Sequence, residues 1–217
     1  MDKPSITKEN VNLLFDSPYV KVFDLQYAPG HHYYDATRRS ADNLVALKSD
    51  EAVKTMTPDA VSCIVILRTP NDEPRILFSH EFRYPAGQFL LSVPAGLIDP
   101  ADLDEENPLF TTAIREIHEE TGLVVKDTDK IRLVSPFLYS TPGMTDESNA
   151  LVSVVMDLPD LTGLTQSGAE GSECFDGFSL LTREEARKVL ESGRDEYGNF
   201  YSVYTWAALM YFVSDLW

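Results

Sequence analysis

The stretch that most constrains this chain runs from Pro108 to Thr121. At ~100° per residue, Phe110, Ala113, Ile114 and Ile117 fall on one side of a helix, and Gly122 stands where a left-handed residue ends it. Glu116, Glu119 and Glu120 fall within about 100° of arc on the side opposite Phe110 and Ile114. Such a helix packs one face and displays three carboxylates on the other. Like charges four residues apart, as at Glu116 and Glu120, cost roughly 0.2–0.5 kcal/mol. Arg115 is the only cation close enough in sequence to offset them, through Glu119 at i+4. Clustered oxygens suit Mg²⁺ or Mn²⁺, hard cations that prefer carboxylate, carbonyl and water. On composition alone, a solvated acidic face is the better reading.

The rest of the chain supplies strands for this helix to pack on. Val61–Leu67 reads as a buried strand, Pro70–Pro74 as a turn, Arg75–Phe82 as a returning strand and Phe89–Val93 as a third. Ile131–Tyr139 and Ala150–Met156 form a pair joined by a loop. Thr182-Arg183-Glu184-Glu185 fits a capping box whose helix ends at Gly193, and Phe200–Asp215 reads as a last helix with aromatic core residues. Mixed strands and helices in this order predict an α+β fold with helices on both sides of a sheet. Residues 1 to about 57 form a first block with one alternating strand, Tyr19–Leu25, and a turn at Pro29-Gly30. Residues 58–217 form the second.

The formal charge of −17 argues against a general nucleic-acid binder, which needs a basic footprint. An anionic substrate stays compatible with this charge if bound divalent cations reverse the local field. No run of 18 apolar residues is present, so no membrane span is expected. Cys63 and Cys174 are too few and too far apart for a disulfide framework, which points to a reducing, cytoplasmic compartment. The four histidines show no spacing typical of zinc ligands or of a nucleophile's base and read as structural.

Arg115-Glu116-Ile117-His118-Glu119-Glu120-Thr121-Gly122-Leu123 resembles the core of the Nudix box, R-E-U-x-E-E-x-G-U with U aliphatic, at every specified position. Upstream, Pro94-Ala95-Gly96-Leu97-Ile98-Asp99 is similar to the segment that opens the box in ADP-ribose pyrophosphatases. The resemblance covers about Ala60 to Val213. The family spacing is G-x5-E-x7-R, and this chain has about five extra residues between Gly96 and Arg115, within Pro100–Glu106. Asn107 occupies the place of the box glutamate counted back from Arg115, with Glu106 the nearest substitute for a residue that braces the loop.

The resemblance implies a Nudix α/β/α sandwich with a mixed β-sheet and an N-terminal β extension that builds a homodimer. It implies that Glu116 and Glu120 bind Mg²⁺ or Mn²⁺, with Glu119 as a further ligand or water contact, Arg115 orienting the carboxylates and Ala95 giving a backbone carbonyl. The loop Tyr139–Glu147 is similar to the one that carries the catalytic base, which assigns that role to Glu147, with Glu170 and Glu173 as alternatives and Glu119 after them. Glu170 and Glu173 lie in Gly163–Glu173, which reads as a mobile lid or as a flexible connection. Glu81-Phe82-Arg83-Tyr84 resembles the element before the box. There Arg83 reaches a phosphate or pairs with neighbouring acids, and Phe82 or Tyr84 stacks on a base. Arg38 and Arg39 are weaker phosphate candidates. The implied reaction is Mg-dependent hydrolysis of ADP-ribose to AMP and ribose 5-phosphate. The alternatives are the same chemistry on a GDP- or UDP-hexose, and a non-catalytic module that senses ADP-ribose.

Overall fold

The computed structural model describes residues 4–168, 171 and 173–217, and the chain packs into two units. One takes in residues up to Asp59 together with Phe137–Asn149; the other holds Ala60–Pro136 and Ala150–Trp217.

In the first unit, β1 (Val11–Asp16), β2 (Lys21–Ala28) and β3 (His31–Thr37) form an antiparallel sheet in that order. Gly30, at φ 71°, closes the β2–β3 hairpin in the left-handed conformation that favours glycine. A short helix, α1 (Asp50–Lys54), follows with Ser49 as its cap. The core is small: Phe23, Leu25 and Leu44, flanked by Ile6, Val11 and Leu47. Leu13, Leu14, Phe15 and Tyr19 remain exposed. The later segment joins through its loop, where Ala36 N donates to Met144 O at 2.9 Å and the Tyr33 hydroxyl to Gly143 O at 3.0 Å.

The second unit is built on a seven-stranded sheet. Its strands are β4 (Ala60–Arg68), β5 (Arg75–Arg83), β6 (Gln88–Ser92), β7 (Ala95–Leu97), β8 (Lys130–Tyr139), β9 (Ser148–Asp157) and β10 (Phe175–Leu181). The order is β10-β5-β4-β9-β8, with β6 on β5 and β7 on β4. Strand β5 runs antiparallel to β10, β4 and β6. β4 and β9 run parallel: Asp59 N donates to Ser148 O (3.0 Å) where both begin, and Leu158 N to Arg68 O (2.9 Å) where both end. The sheet is therefore mixed.

Strand β4 explains the layering. Val61, Cys63, Val65 and Leu67 pack on one face with Ala113 and Ile117 of α2 (Pro108–Thr121). Ile64 and Ile66 pack on the other with Ala186 and Val189 of α3 (Arg183–Ser192) and Ala208, Leu209 and Phe212 of α4 (Val203–Val213). A strand buried on both faces reads as a continuous apolar run, as Val61–Leu67 does. The result is a sheet between helices. Thr182 and Glu185 close the capping box of α3 reciprocally, at 3.3 and 2.8 Å.

The sheet also prepares the site. β4 pairs with β5 over Val65–Leu67, then with β7 over Ala60–Ser62, while β5 continues on to β6 and keeps β10 along its other edge. The two strands fork, and the fork holds Val93-Pro94-Ala95, with Cys63 N donating to Pro94 O at 2.8 Å.

Candidate active site

Helix α2 has the bounds that its periodicity dictates, with Gly122 as its left-handed cap at φ 71°. Its faces differ from the expectation. Glu116 and Glu120 are buried, at 7% and 5% exposure, whereas Ile114 is 40% exposed. The carboxylates point toward the sheet fork and not into solvent. The helix packs through Ala113 and Ile117, each a turn from Glu116 or Glu120, so the packed stripe and the acidic stripe share an edge.

Two backbone features receive the buried acids. Ala95 N donates to Glu120 Oε1 at 3.0 Å. At Gly96 a Cβ would lie 1.8 Å from Glu116 Oε1, so the absence of a side chain there leaves room for that carboxylate. At Ala95 the observed contact is thus made by the N–H; the resemblance assigned its carbonyl.

Burial and like charge act together on these acids. Burial raises the Glu116 carboxyl to about 7, against the pull of Arg115, with Glu119 and Glu173 adding to the rise. Burial lifts Glu120 well above the usual carboxylate range, and Glu81, Glu116 and Glu173 push the same way. Glu81, 8% exposed at the end of β5, is raised by burial as well. Five carboxylates, those of Glu81, Glu116, Glu119, Glu120 and Glu173, thus act on one another around a partly dry cleft, the donor chemistry that suits a hard divalent cation. Among the described residues, no three His, Cys, Asp or Glu side chains converge tightly enough to cage an ion without rearrangement. Arg115 Nη1 holds Glu116 Oε1 at 2.7 Å and Glu119 Oε2 at 3.1 Å, so these acids are drawn to a positive charge already. The residues fit a cation once that guanidinium shares them.

Arg115 is fixed from behind. Its Nη2 donates to Leu97 O and to Asp102 Oδ2, both at 3.0 Å. Asp102, 6% exposed, also accepts from Thr112 Oγ1 at 2.8 Å and Asp99 N at 3.2 Å. Burial works against its charge, yet these donors hold its carboxyl below the usual range. Asp102 and not Glu106 therefore braces the loop; Glu106 is exposed. The signal was present: counted forward from Gly96, the G-x5-E spacing falls on Asp102, and the extra residues follow it.

Arg83 pairs with Glu81, Nη2 to Oε2 at 2.6 Å, one of its two expected partners. Phe82 meets Tyr84 and Phe89 edge-on, with ring centroids 5.2 and 5.4 Å apart, and Tyr84 is 65% exposed. Glu81 is the acid that sequence reasoning passed over as part of an Arg-bearing element. A charged residue ending a strand of buried neighbours, Ile76 to His80, was its trace.

Thr165 and Gly168 touch the far end of α2. Thr165 N donates to Thr121 O at 3.0 Å, and a Cβ at Gly168 would lie 2.3 Å from Glu119 O. Glu173 is exposed, and Glu170 lies outside the described residues. Glu147 belongs to the first unit. There its Oε1 lies 3.7 Å from Arg38 Nε, and its N–H donates to Thr145 Oγ1 at 3.1 Å. Arg39 pairs with Asp59 and Asp146.

A family model described as a NUDIX domain matches residues 56–203. An ADP-ribose pyrophosphatase of Saccharomyces cerevisiae is 35% identical over 115 residues, 50% of this chain and 46% of that protein. An ADP-ribose pyrophosphatase of Bacillus subtilis is 30% identical over 135 residues, 62% of this chain and 64% of that protein. The chain thus spans less than two thirds of the length of either relative. A solved structure titled as an ADP compounds hydrolase shares the fold at TM-score 0.56 and 19% identity, covering 97% of this chain and 92% of that one.

Proposed function

From membership of the Nudix family, to which this chain belongs, we propose that it hydrolyses the pyrophosphate bond of ADP-ribose, giving AMP and ribose 5-phosphate. The observation that carries this reading is the buried pair Glu116 and Glu120 set against Ala95-Gly96, with Arg115 locked behind them by Asp102. A module that only sensed ADP-ribose would have no use for burying two acids at such electrostatic cost. The relatives named for ADP-ribose supply the base and sugar.

In this reading Glu116 and Glu120 would hold Mg²⁺, with Mn²⁺ as a substitute, and Glu119 would bind a further ion or its water; a divalent cation there would supply positive charge to offset the pyrophosphate and favour ionisation of water. Glu147 takes the proton from the attacking water. One P–O bond forms, the bridging P–O bond breaks, and the leaving phosphate oxygen keeps the electron pair. Arg83 turns from Glu81 to a phosphate oxygen, for which its planar fork is suited. Phe82 or Tyr84 offers a ring face to the base. The exposed Leu13, Leu14, Phe15 and Tyr19 form a homodimer contact, which light scattering checks. No described helix is long and apolar enough to cross a membrane. The free thiols Cys63 and Cys174 suit a reducing cytoplasm.

The test is a screen of nucleoside diphosphate sugars with Mg²⁺, read by a phosphatase-coupled phosphate release. Turnover of ADP-ribose that stops in excess chelator is expected. Preference for a GDP- or UDP-hexose would move the substrate assignment, and full turnover in metal-free buffer would overturn the mechanism.

A further inference from the structure

Glu147 stands between two residues that the first unit fixes from several sides. Asp146 N donates to Asp35 Oδ1 at 3.1 Å, and Asp146 Oδ2 accepts from Val45 N at 3.3 Å. Ser148 donates twice to Asp59 Oδ2, from its N–H at 2.9 Å and its hydroxyl at 2.8 Å. One guanidinium joins the two anchors: Arg39 Nη2 lies 2.5 Å from Asp59 Oδ1, and Arg39 Nε lies 3.3 Å from Asp146 Oδ2. The Arg39 side chain is 12% exposed, so it is not offered to a phosphate as the sequence suggested. Neither contact meets hydrogen-bond geometry, which makes Arg39 chiefly a buried positive charge among Asp35, Asp59 and Asp146.

We infer that Arg39 is a positioning residue for Glu147: by holding Asp146 and Asp59 together, it fixes the backbone on both sides of Glu147 and so the direction of its carboxylate. The inference rests on Glu147 being the base. Without Arg39 three acids are left to repel one another in a partly dry setting, and the loop relaxes by moving them apart. Arg38, 51% exposed, contributes a second charge at 3.7 Å but touches neither anchor. Glu147 then remains present but poorly aimed, which lowers the rate and leaves substrate binding intact.

The experiment is a mutant cycle on the full chain with Mg²⁺ and ADP-ribose, measuring kcat and KM for R39Q, R39K, E147Q and R39Q/E147Q. General-base assistance is worth about 10²–10⁴-fold, so R39Q should lose about tenfold to a hundredfold in kcat with KM changed less than about threefold. R39K, which restores the charge, should recover most of that loss. In the E147Q background R39Q should cost less than about threefold more, because residues acting through one group are non-additive. An equal loss from R39Q in both backgrounds overturns the inference. So does normal kcat in R39Q beside a slow E147Q, and that pattern leaves the base assignment standing. Normal kcat in E147Q removes the base assignment itself. Should R39Q fail to fold, D59N takes its place in the cycle with the same expectations.

Discussion

Gly96→Ala tests the site through a single methyl group. The added Cβ would lie 1.8 Å from Glu116 Oε1, 2.1 Å from its Cδ and 2.4 Å from Oε2. To reach an ordinary contact near 3.4 Å, the carboxylate must retreat by about 1.6 Å. The backbone does not resist, since Gly96 is not among the glycines with positive φ, and alanine is better tolerated in a strand than glycine by roughly 0.5–1 kcal/mol. The side chain that must move is the end of a flexible glutamate, so stability should stay within about 1 kcal/mol of wild type. Activity should not be spared. A displacement near 1 Å can cost about 10²-fold, and Glu116 would move further while losing its place beside Arg115. We expect kcat/KM for ADP-ribose to fall by about 10²-fold or more, with a melting temperature close to wild type. Gly96→Ala added to Glu116→Ala should cost little further, because the clash is gone. Activity within about threefold of wild type in a folded Gly96→Ala protein, against the loss of about 10²-fold expected, would refute a role for Glu116 at this position.

Three other outcomes are expected. Glu120→Gln keeps an acceptor for Ala95 N–H and removes a charge that burial disfavours, so thermal melting without metal should be unchanged or improved while turnover falls by orders of magnitude. Asp102→Ala removes three hydrogen bonds and frees Arg115, which should cost about 2–4 kcal/mol in denaturant unfolding, whereas Glu106→Ala should cost less than about 0.5 kcal/mol. Asp35, raised from 3.8 to about 6 by burial and by Asp146, keeps its proton in the folded state after the unfolded chain has lost it. Its contribution is full below pH 3.8 and is lost as pH rises through about 6. Thermal melts of Asp35→Asn should therefore drop less than wild type across that interval, and an identical pH profile would count against a buried Asp35.

Local rules made much of the fold legible. Helix α2 and both glycine-capped helix ends followed from periodicity, the Gly122 and Gly193 stops and the Thr182 box, because capping is settled within a few residues of chain. Strand β10 was missed. Its alternation is broken at Phe175–Phe178, where a bulge shifts the register. β1 and β3 were missed because their apolar residues stay exposed and give no one-sided pattern. The packing of Phe137–Asn149 with the first unit depends on contacts such as Tyr33 to Gly143, more than a hundred residues apart, which periodicity cannot report. In the site, residue identities were readable and their environment was not. Glu116 and Glu120 read as a displayed face, because burial of a charge depends on the Gly96 gap opposite it. Counting back from Arg115 hid Asp102, because the extra residues fall between the two.

Asp102 closes the arginine brace before the extra residues begin, and residues 103–107 that follow it are all exposed. The chain therefore carries a natural splice point two residues beyond a fixed anchor. A reporter peptide or affinity handle inserted between Asp104 and Asn107 would hang from solvated backbone, where added length costs only about 0.6 kcal/mol per doubling of the loop. Such a label sits next in sequence to the helix that carries the carboxylates, yet it is isolated mechanically from them by Asp102. That makes this loop the natural place to attach a probe that follows the protein without disturbing it.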